Sequence, residues 1–177
     1  MDYTKLKQAL ELAKKKDATL LPVIVNAPFA YKVDAAFLFL GIIMLALVNP
    51  EKKVLEAKAI SQTDFVEDID TMAAMPVDNV FIPLDDNENL LVQAINSGQP
   101  QTTRDWSSLL HPVMTAEQAR FTQASGGIAF TAVHPLNNVG AGGALIYSFF
   151  KREDADVSAQ DNFTHRYTDL VATLLRT

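Results

Sequence analysis

The side chains that most often carry chemistry are few in this chain and widely separated. Its three histidines, His111, His134 and His165, form no His-x-x-x-His pair or other local metal-ligand spacing. The chain also lacks the glycine-rich patterns of a nucleophilic serine, a phosphate loop and a dinucleotide site. We therefore predict that the protein is not an enzyme and holds no metal and no cofactor, and we expect His111 and His165 at the surface.

Composition narrows the protein class further. The 177 residues include 21 acidic and 15 basic side chains and no cysteine, and 49% of them are hydrophobic. This length predicts one domain, residues 1–177, with a substantial core. A net charge of −6 would repel a phosphate backbone, so nucleic acid is not an expected partner. Without cysteine, disulfides, thiolate metal sites and thiol nucleophiles are excluded.

The apolar segments are too short to indicate a membrane protein. The longest uncharged apolar run, residues 35–48, falls short of the roughly 20 residues that cross a bilayer, so we interpret it as buried core. The first sixteen residues carry Asp2 and Glu11 on a helical pattern, unlike the apolar start of a signal peptide. We therefore predict a cytoplasmic protein without a membrane partner, and we expect a small separate protein.

A cluster suited to ligand contacts is predicted around residues 104–106. Arg104 can clamp a carboxylate or a phosphate, and Trp106 offers a flat stacking surface. His134 lies in phase with Ile128, Phe130 and Ala132 on its strand, and a buried histidine must form hydrogen bonds or shift its titration. The alternatives are a surface pair of Arg104 with Asp105, a Trp106 that only supports its loop, and a His134 bonded to backbone or water.

Amphipathic helices are predicted at both ends of the chain to position these side chains. Apolar residues recur every three or four positions over 3–16 and again over 158–176. The apolar stretch after the first helix contains Pro22 and Pro28, which disrupt helix interiors. We therefore expect a broken or late-starting helix there, with Asp34 as a candidate cap.

The middle of the chain alternates strand and helix patterns. Apolar runs flank an Asn-Pro turn and, later, a turn rich in Asn and Gly, so two β-hairpins are predicted. Asp86 is a candidate cap, and Thr115 with Gln118 has the capping-box spacing. Strands are expected at 42–48, 53–60, 80–84, 101–104, 128–135 and 143–150, helices at 86–96 and 115–124, and a loop or short helix at 61–77. These elements predict an α+β fold: an antiparallel sheet of about six strands with helices on both faces.

Three stretches of the chain resemble the GAF domain, a small sensory fold. The hairpin IIMLALVNPEKKVLEAKAIS is similar to the family's opening hairpin. The segment NLLVQAINSGQPQTTRDW resembles its helix, glycine and strand, and GGIAFTAVHPLNNVGAGGALIYSFF is similar to its closing hairpin. The resemblance runs from about residue 20 to residue 175. It implies first and last helices packed together on one face of the sheet, and a ligand pocket roofed by the two middle helices on the other.

The chain also departs from the family pattern. The Asn-Lys, Phe and Asp-Glu pattern of cyclic-nucleotide members is not found, and the bilin-attaching and free methionine sulfoxide reductase members need cysteines that this chain lacks. The resemblance therefore implies non-covalent binding of an unidentified small molecule. Because end helices in GAF proteins often pack into a second copy, it also implies a homodimer built on helices 3–16 and 158–176.

Two functions of different classes follow from the resemblance. In the first, a GAF-like sensory domain binds a small molecule and signals through its terminal helices. In the second, aromatic side chains fill the pocket, and the domain is a ligand-free module for dimerisation or protein interaction. The candidate pocket residues are Phe81, Arg104, Asp105, Trp106, Phe121, Phe130 and His134.

Overall fold

A computed structural model describes residues 3–16, 20–31, 39–63, 80–137, 139–151 and 156–176 of the protein. Over these residues the strands are β1 (Leu40–Asn49), β2 (Val54–Ile60), β3 (Phe81–Pro83), β4 (Gln101–Thr103), β5 (Ile128–Pro135) and β6 (Gly143–Phe150). The helices are α1 (Thr4–Lys15), α2 (Leu20–Ala30), α3 (Leu90–Ser97), α4 (Ser107–Leu110), α5 (Ala116–Ser125) and α6 (Val157–Leu175). The predicted cap Asp34 and most of the predicted loop 61–77 lie outside the described residues.

The six strands form one antiparallel sheet in the order β3-β2-β1-β6-β5-β4. Both predicted hairpins are present: β1 pairs with β2 and β5 pairs with β6. The hairpins meet through β1 and β6 at the centre of the sheet. The predicted α+β architecture, with about six antiparallel strands and helices on both faces, is confirmed.

Alternation along the strands divides the core into two layers. In β1, Ile43 and Leu45 belong to one buried cluster, whereas Ile42 and Ala46 belong to the other. Helices α1, α2 and α6 cover the first cluster, on what we term the terminal-helix face. Helices α3, α4 and α5 cover the second, on the middle-helix face. The helices therefore lie where the resemblance implied.

Helices α1 and α6 lie side by side and run in the same direction. Near their N-terminal ends, the Tyr3 ring stacks on Phe163 with 6.4 Å between centroids, and the Arg166 guanidinium lies 4.4 Å from the Tyr3 ring. Near their C-terminal ends, Lys14 Nζ donates to the Leu174 carbonyl oxygen at 2.8 Å. Among the described helices, none is both long enough and apolar enough to cross a bilayer.

The prolines do not interrupt α2, so the prediction of a broken helix is wrong. Pro22 lies in the first turn, where the backbone N–H groups have no intrahelical acceptor in any case. Pro28 lies inside the helix and leaves the carbonyl of Ile24 without its usual donor. The Tyr167 hydroxyl, from α6, donates to that carbonyl at 2.7 Å. A side chain distant in sequence thus replaces the missing helix hydrogen bond.

The helix caps are a second feature in which the structure differs from the sequence prediction. Thr115 and Gln118 form the predicted capping box of α5. The cap of α3, however, is Asn89 and not Asp86: its Oδ1 accepts from Leu91 N at 2.9 Å, while its Nδ2 donates to the carbonyls of Leu109 and His111. Asn89 thereby ties α3 to α4, a short helix that the sequence pattern did not predict.

We expect Tyr167→Phe to lower the free energy of unfolding by about 1–3 kcal/mol, because the buried carbonyl of Ile24 loses its donor. Chemical denaturation monitored by circular dichroism measures the change. Tyr31→Phe is the matched control, since Tyr31 is exposed at the end of α2. Equal stability of Tyr167→Phe and the parent protein would contradict this account of α2.

Candidate functional site

Trp106 lies under the middle helices and is held by two buried hydrogen bonds. Its backbone N–H donates to Gln123 Oε1 on α5 at 2.9 Å, and its indole Nε1 donates to Thr131 Oγ1 on β5 at 2.8 Å. The side chain is only 8% exposed and belongs to the core of the middle-helix face. Trp106 thus fills space between the sheet and the middle helices, and its ring face is not open for stacking.

Gln123 positions the Trp106 loop, and the sequence prediction missed it. Besides accepting from Trp106, its Nε2 donates to the carbonyls of Arg104 at 3.0 Å and Ile128 at 3.2 Å. The amide thus joins α5 to the end of β4 and the start of β5. Gln123 lies four residues after the buried Ala119 and therefore on the inner face of α5. This helical spacing is the feature of the sequence from which its position could have been predicted.

Asp105 pairs with Arg120 rather than with Arg104. Arg120 donates to Asp105 Oδ2 from Nε at 3.0 Å and from Nη2 at 2.7 Å. These bonds lower the pKa of Asp105 to about 2. The guanidinium of Arg104 is exposed and makes no ion pair within the described part of the chain. Because Arg120 already balances the negative charge of Asp105, Arg104 presents a positive charge that suits a carboxylate or a phosphate.

The predicted aromatic residues Phe81 and Phe121 lie away from any shared pocket. Phe121 is 64% exposed on the outer side of α5. Phe81 is exposed on β3, where Lys52 Nζ lies 5.7 Å from its ring centroid. Its strand neighbour Ile82 enters the core of the middle-helix face, so Phe81 points to the opposite side of the sheet.

Phe130 and His134 face the terminal helices, opposite to Trp106. A register shift between Ile128 and Phe130 breaks the alternation, so Ile128 packs under the middle helices and Phe130 packs on the other face. His134 therefore shares its face with Phe130 and Ala132, as predicted, but the predicted phase with Ile128 is wrong. Phe130 stacks on Phe149, with centroids 4.8 Å apart. The seven candidate residues do not converge on one cavity, and their ligand contacts stay a prediction.

His134 is buried among rings at the interface with α6. It is 4% exposed, and its ring meets His165 edge to face at 4.6 Å and Tyr147 at 5.6 Å between centroids. Burial and the nearby His165 lower the pKa of His134 to about 4, against 6.5 in water, although Asp161 opposes the shift. His134 is therefore neutral at pH 7.

The other two histidines are exposed, and each contacts a carboxylate. His111 Nδ1 lies 2.7 Å from Asp86 Oδ2, while Asp86 Oδ1 accepts from the backbone N–H of Glu88 at 3.1 Å, ahead of α3. His165 Nδ1 lies 3.3 Å from Asp161 Oδ1, one turn earlier on α6. Within the described residues, no three histidine or carboxylate side chains form a group that could hold a metal ion.

An apolar groove lies between α1 and α2, on the outside of the terminal-helix face. It has a volume of about 320 Å³ and is floored by small side chains of both helices. Leu12, which is 58% exposed, Tyr31 and Lys16 also line the groove. This cavity lies on the face opposite to the one where the resemblance implied a pocket.

No protein-family model matches this chain, and no curated protein sequence matches it either. Solved structures do match. The chain is similar to the GAF domain of a two-component sensor histidine kinase from Bacillus halodurans, with 13% identity and a TM-score of 0.55 over 84% of this chain and 91% of that one. It is also similar to the phycocyanobilin-bound GAF domain of a cyanobacterial phytochrome, with 10% identity and a TM-score of 0.59 over 99% and 94%.

A third similar structure is an enzyme. The type II free methionine-R-sulfoxide reductase of Thermoplasma acidophilum shares 18% identity with this chain, with a TM-score of 0.52 over 99% of this chain and 95% of that one. At such identities the likeness establishes the fold alone. The chain therefore has a GAF-like fold, as the three sequence stretches predicted.

The prediction that the protein is not an enzyme is overturned by this last likeness. An enzyme has the same fold over almost its whole length. The sequence patterns used for the prediction mark serine hydrolases, phosphate loops and dinucleotide sites, which are only some of the sites that a fold can carry. Their absence from this chain therefore does not exclude catalysis.

We expect Gln123→Leu to lower the free energy of unfolding by about 3 kcal/mol and to shift Trp106 fluorescence to longer wavelength. The change removes the acceptor of Trp106 N–H and the donor to two carbonyls. Trp106 is the only tryptophan, so emission reports on this loop alone. Gln93→Leu, on the exposed side of α3, is the control. Unchanged emission in Gln123→Leu would show that Gln123 does not position Trp106.

Proposed function

We propose that this chain is a GAF-like sensory domain that binds a small molecule on the middle-helix face and transmits the change to α6 through the sheet. One observation carries the proposal. Trp106 Nε1 donates to Thr131 Oγ1, which lies 2.9 Å from Ser148 Oγ in β6. A buried hydrogen-bonded chain thus runs from the Trp106 loop to the centre of the sheet.

Tyr147, the residue of β6 that precedes Ser148, continues the connection on the other face of the sheet. Side chains of adjacent strand residues point to opposite faces, so Tyr147 points to the terminal helices where Ser148 points to the middle ones. The Tyr147 hydroxyl lies 2.8 Å from Thr168 Oγ1 on α6. A shift of Trp106 would therefore move β5 and β6, and with them α6.

We infer that the ligand carries a carboxylate or phosphate group, and that it contacts Arg104 and the loop formed by Asp105 and Trp106. The exposed guanidinium of Arg104 beside the neutralised Asp105 supports this chemistry. Two similar structures support a sensory role: one is part of a sensor histidine kinase, and the other has phycocyanobilin bound. Phe130 and His134, on the opposite face, are not part of this proposed site.

The test is a thermal-shift screen of amino acids, organic acids and nucleotides, followed by titration with Trp106 emission as the signal. A ligand should raise Tm and change the emission. Arg104→Ala should weaken its binding at least tenfold, because a charge-assisted bond is lost. Lys15→Ala, on the terminal-helix face, should leave binding unchanged. The proposal would be contradicted if no compound in the library raised Tm, changed Trp106 emission and depended on Arg104.

Amide hydrogen exchange, measured with and without the ligand, tests the connection to α6. With ligand bound, backbone amides of α6 should change their hydrogen-exchange rates in the parent protein. In Ser148→Ala the ligand should still change Trp106 emission, but the effect on α6 should be lost. An unaltered α6 response in Ser148→Ala would show that the signal does not pass through this hydrogen bond.

A dimerisation module is the second candidate function, and the groove between α1 and α2 favours it. Exposed Leu12 and Tyr31 flank a surface of small apolar side chains, which a second copy could cover. The exposed residues of α6, apart from Val157, are polar or charged. We therefore propose that α1 provides the apolar part of the expected homodimer contact.

Light scattering at micromolar concentration measures the oligomeric state. We expect a dimeric mass for the parent protein and a monomeric mass for Leu12→Asp, because a buried unpaired charge is costly. Phe121→Asp is the matched control, since Phe121 is similarly exposed, at 64% against 58% for Leu12, but lies on the opposite face of the sheet. A monomeric parent protein would rule the dimer out.

A further inference from the structure

A histidine packed beneath a terminal helix indicates sensitivity to pH. His134 lies at the end of β5, under the N-terminal half of α6. Within the described residues it makes ring contacts with His165 and Tyr147 and no hydrogen bond. We propose that the N-terminal half of α6, residues 157–165, is a proton-triggered latch that leaves the sheet when His134 becomes charged.

The groups around His134 offer a proton little compensation. From α6 it faces His165, whose charged form would repel it, and Asp161, whose carboxylate is already 3.3 Å from His165 Nδ1. From β6 it faces Tyr147, whose hydroxyl is engaged with Thr168. A charged imidazole in this interface, where His134 is only 4% exposed, therefore has little water and no available counter-ion, and release of the helix restores water to it.

The sign of the pH effect follows from the difference in the proton affinity of His134 between the docked and the released state of α6. Docking of α6 lowers the pKa of His134 to about 4, whereas hydration of the released site returns it towards 6.5. The released state therefore binds the proton more tightly, and docking weakens as pH falls from 6.5 to 4. Since this range spans 2.5 pH units, the docking equilibrium should change by up to about 300-fold.

Two other buried polar groups make this half of α6 easier to release. The Gln160 side chain is 2% exposed, and neither its oxygen nor its nitrogen has a hydrogen-bond partner among the described residues. The hydroxyl of Tyr3, which precedes α1 and stacks on Phe163, is likewise buried without a partner in the described part of the chain. Undocking would expose these atoms to water and would offset part of the lost apolar contact.

The C-terminal half of α6 has the opposite character. Tyr167 donates to the Ile24 carbonyl, Thr168 bonds Tyr147, and Lys14 donates to the Leu174 carbonyl. Burial raises the pKa of Tyr147 and of Tyr167, so neither hydroxyl in these contacts changes its charge as the pH falls from 7 to 4. Release should therefore stop near Tyr167 and leave the rest of the helix in place.

Amide hydrogen exchange of the full chain without any added ligand tests the latch. Between pH 7 and pH 4.5, protection of residues 157–165 should fall by ten- to a hundredfold after correction for intrinsic rates, while that of 168–175 stays constant. His134→Phe keeps a ring in the interface and should abolish this pH dependence, as should His134→Gln if the first variant folds poorly. His111→Phe, at an exposed histidine on the other face, should respond like the parent protein.

Two results would overturn the proposal. One is constant protection of residues 157–165 over this pH range in the parent protein. The other is an equal loss of protection in both His134 variants. Because no ligand is present, neither result bears on binding at the middle-helix face.

Discussion

The two central strands, β1 and β6, have apolar side chains on both of their faces, and the rest of the structure follows from the need to cover them. In β6, Leu145 and Phe149 belong to one core, and Ala144 and Ile146 belong to the other. An antiparallel sheet can leave one face in water only when that face is polar. Here neither face of the central strands is predominantly polar, so the strand sequence requires helices on both sides of the sheet.

Buried polar atoms connect the two cores that this arrangement creates. Thr131 and Ser148 bring hydroxyl groups into the middle-helix face, and Tyr147 brings one into the terminal-helix face. Each needs a partner, because a buried polar group left unpaired costs about 1–3 kcal/mol, more than a hydrogen bond contributes on balance. The partners are Trp106 on one side and Thr168 on the other. The sheet is therefore bonded to a loop above and a helix below at adjacent positions of β6, which gives a physical basis for coupling the faces.

Features that depend on local sequence were predicted correctly. The Asn-Pro turn joins β1 to β2, with Asn49 Oδ1 accepting from Lys52 N, and the capping box starts α5. Both involve residues within three positions of each other, so the chain need not be folded for them to be recognised. The same locality explains the errors. Asp86 is as good a local cap as Asn89, but only Asn89 can also bond the carbonyls of Leu109 and His111.

The candidate site was predicted less well than the fold because its residues are brought together by distant parts of the chain. The strand pattern placed His134 in phase with Ile128, and one inserted residue in β5 reverses that relation. Gln123 is an ordinary helix residue in the sequence, and its role exists only where α5 crosses the ends of β4 and β5.

By itself, the sequence determined the order of the strands and of the longer helices, the antiparallel pairing and the two apolar faces, because these follow from periodicity and turn residues within short segments. Only the tertiary structure decided that Tyr167 completes α2, that Arg120 rather than Arg104 pairs with Asp105, and that His134 lies beneath α6. The physical reason is the same in each case. A hydrogen bond or an ion pair has a specific distance and direction, and residues far apart in the chain meet those conditions only after the sheet and helices have packed.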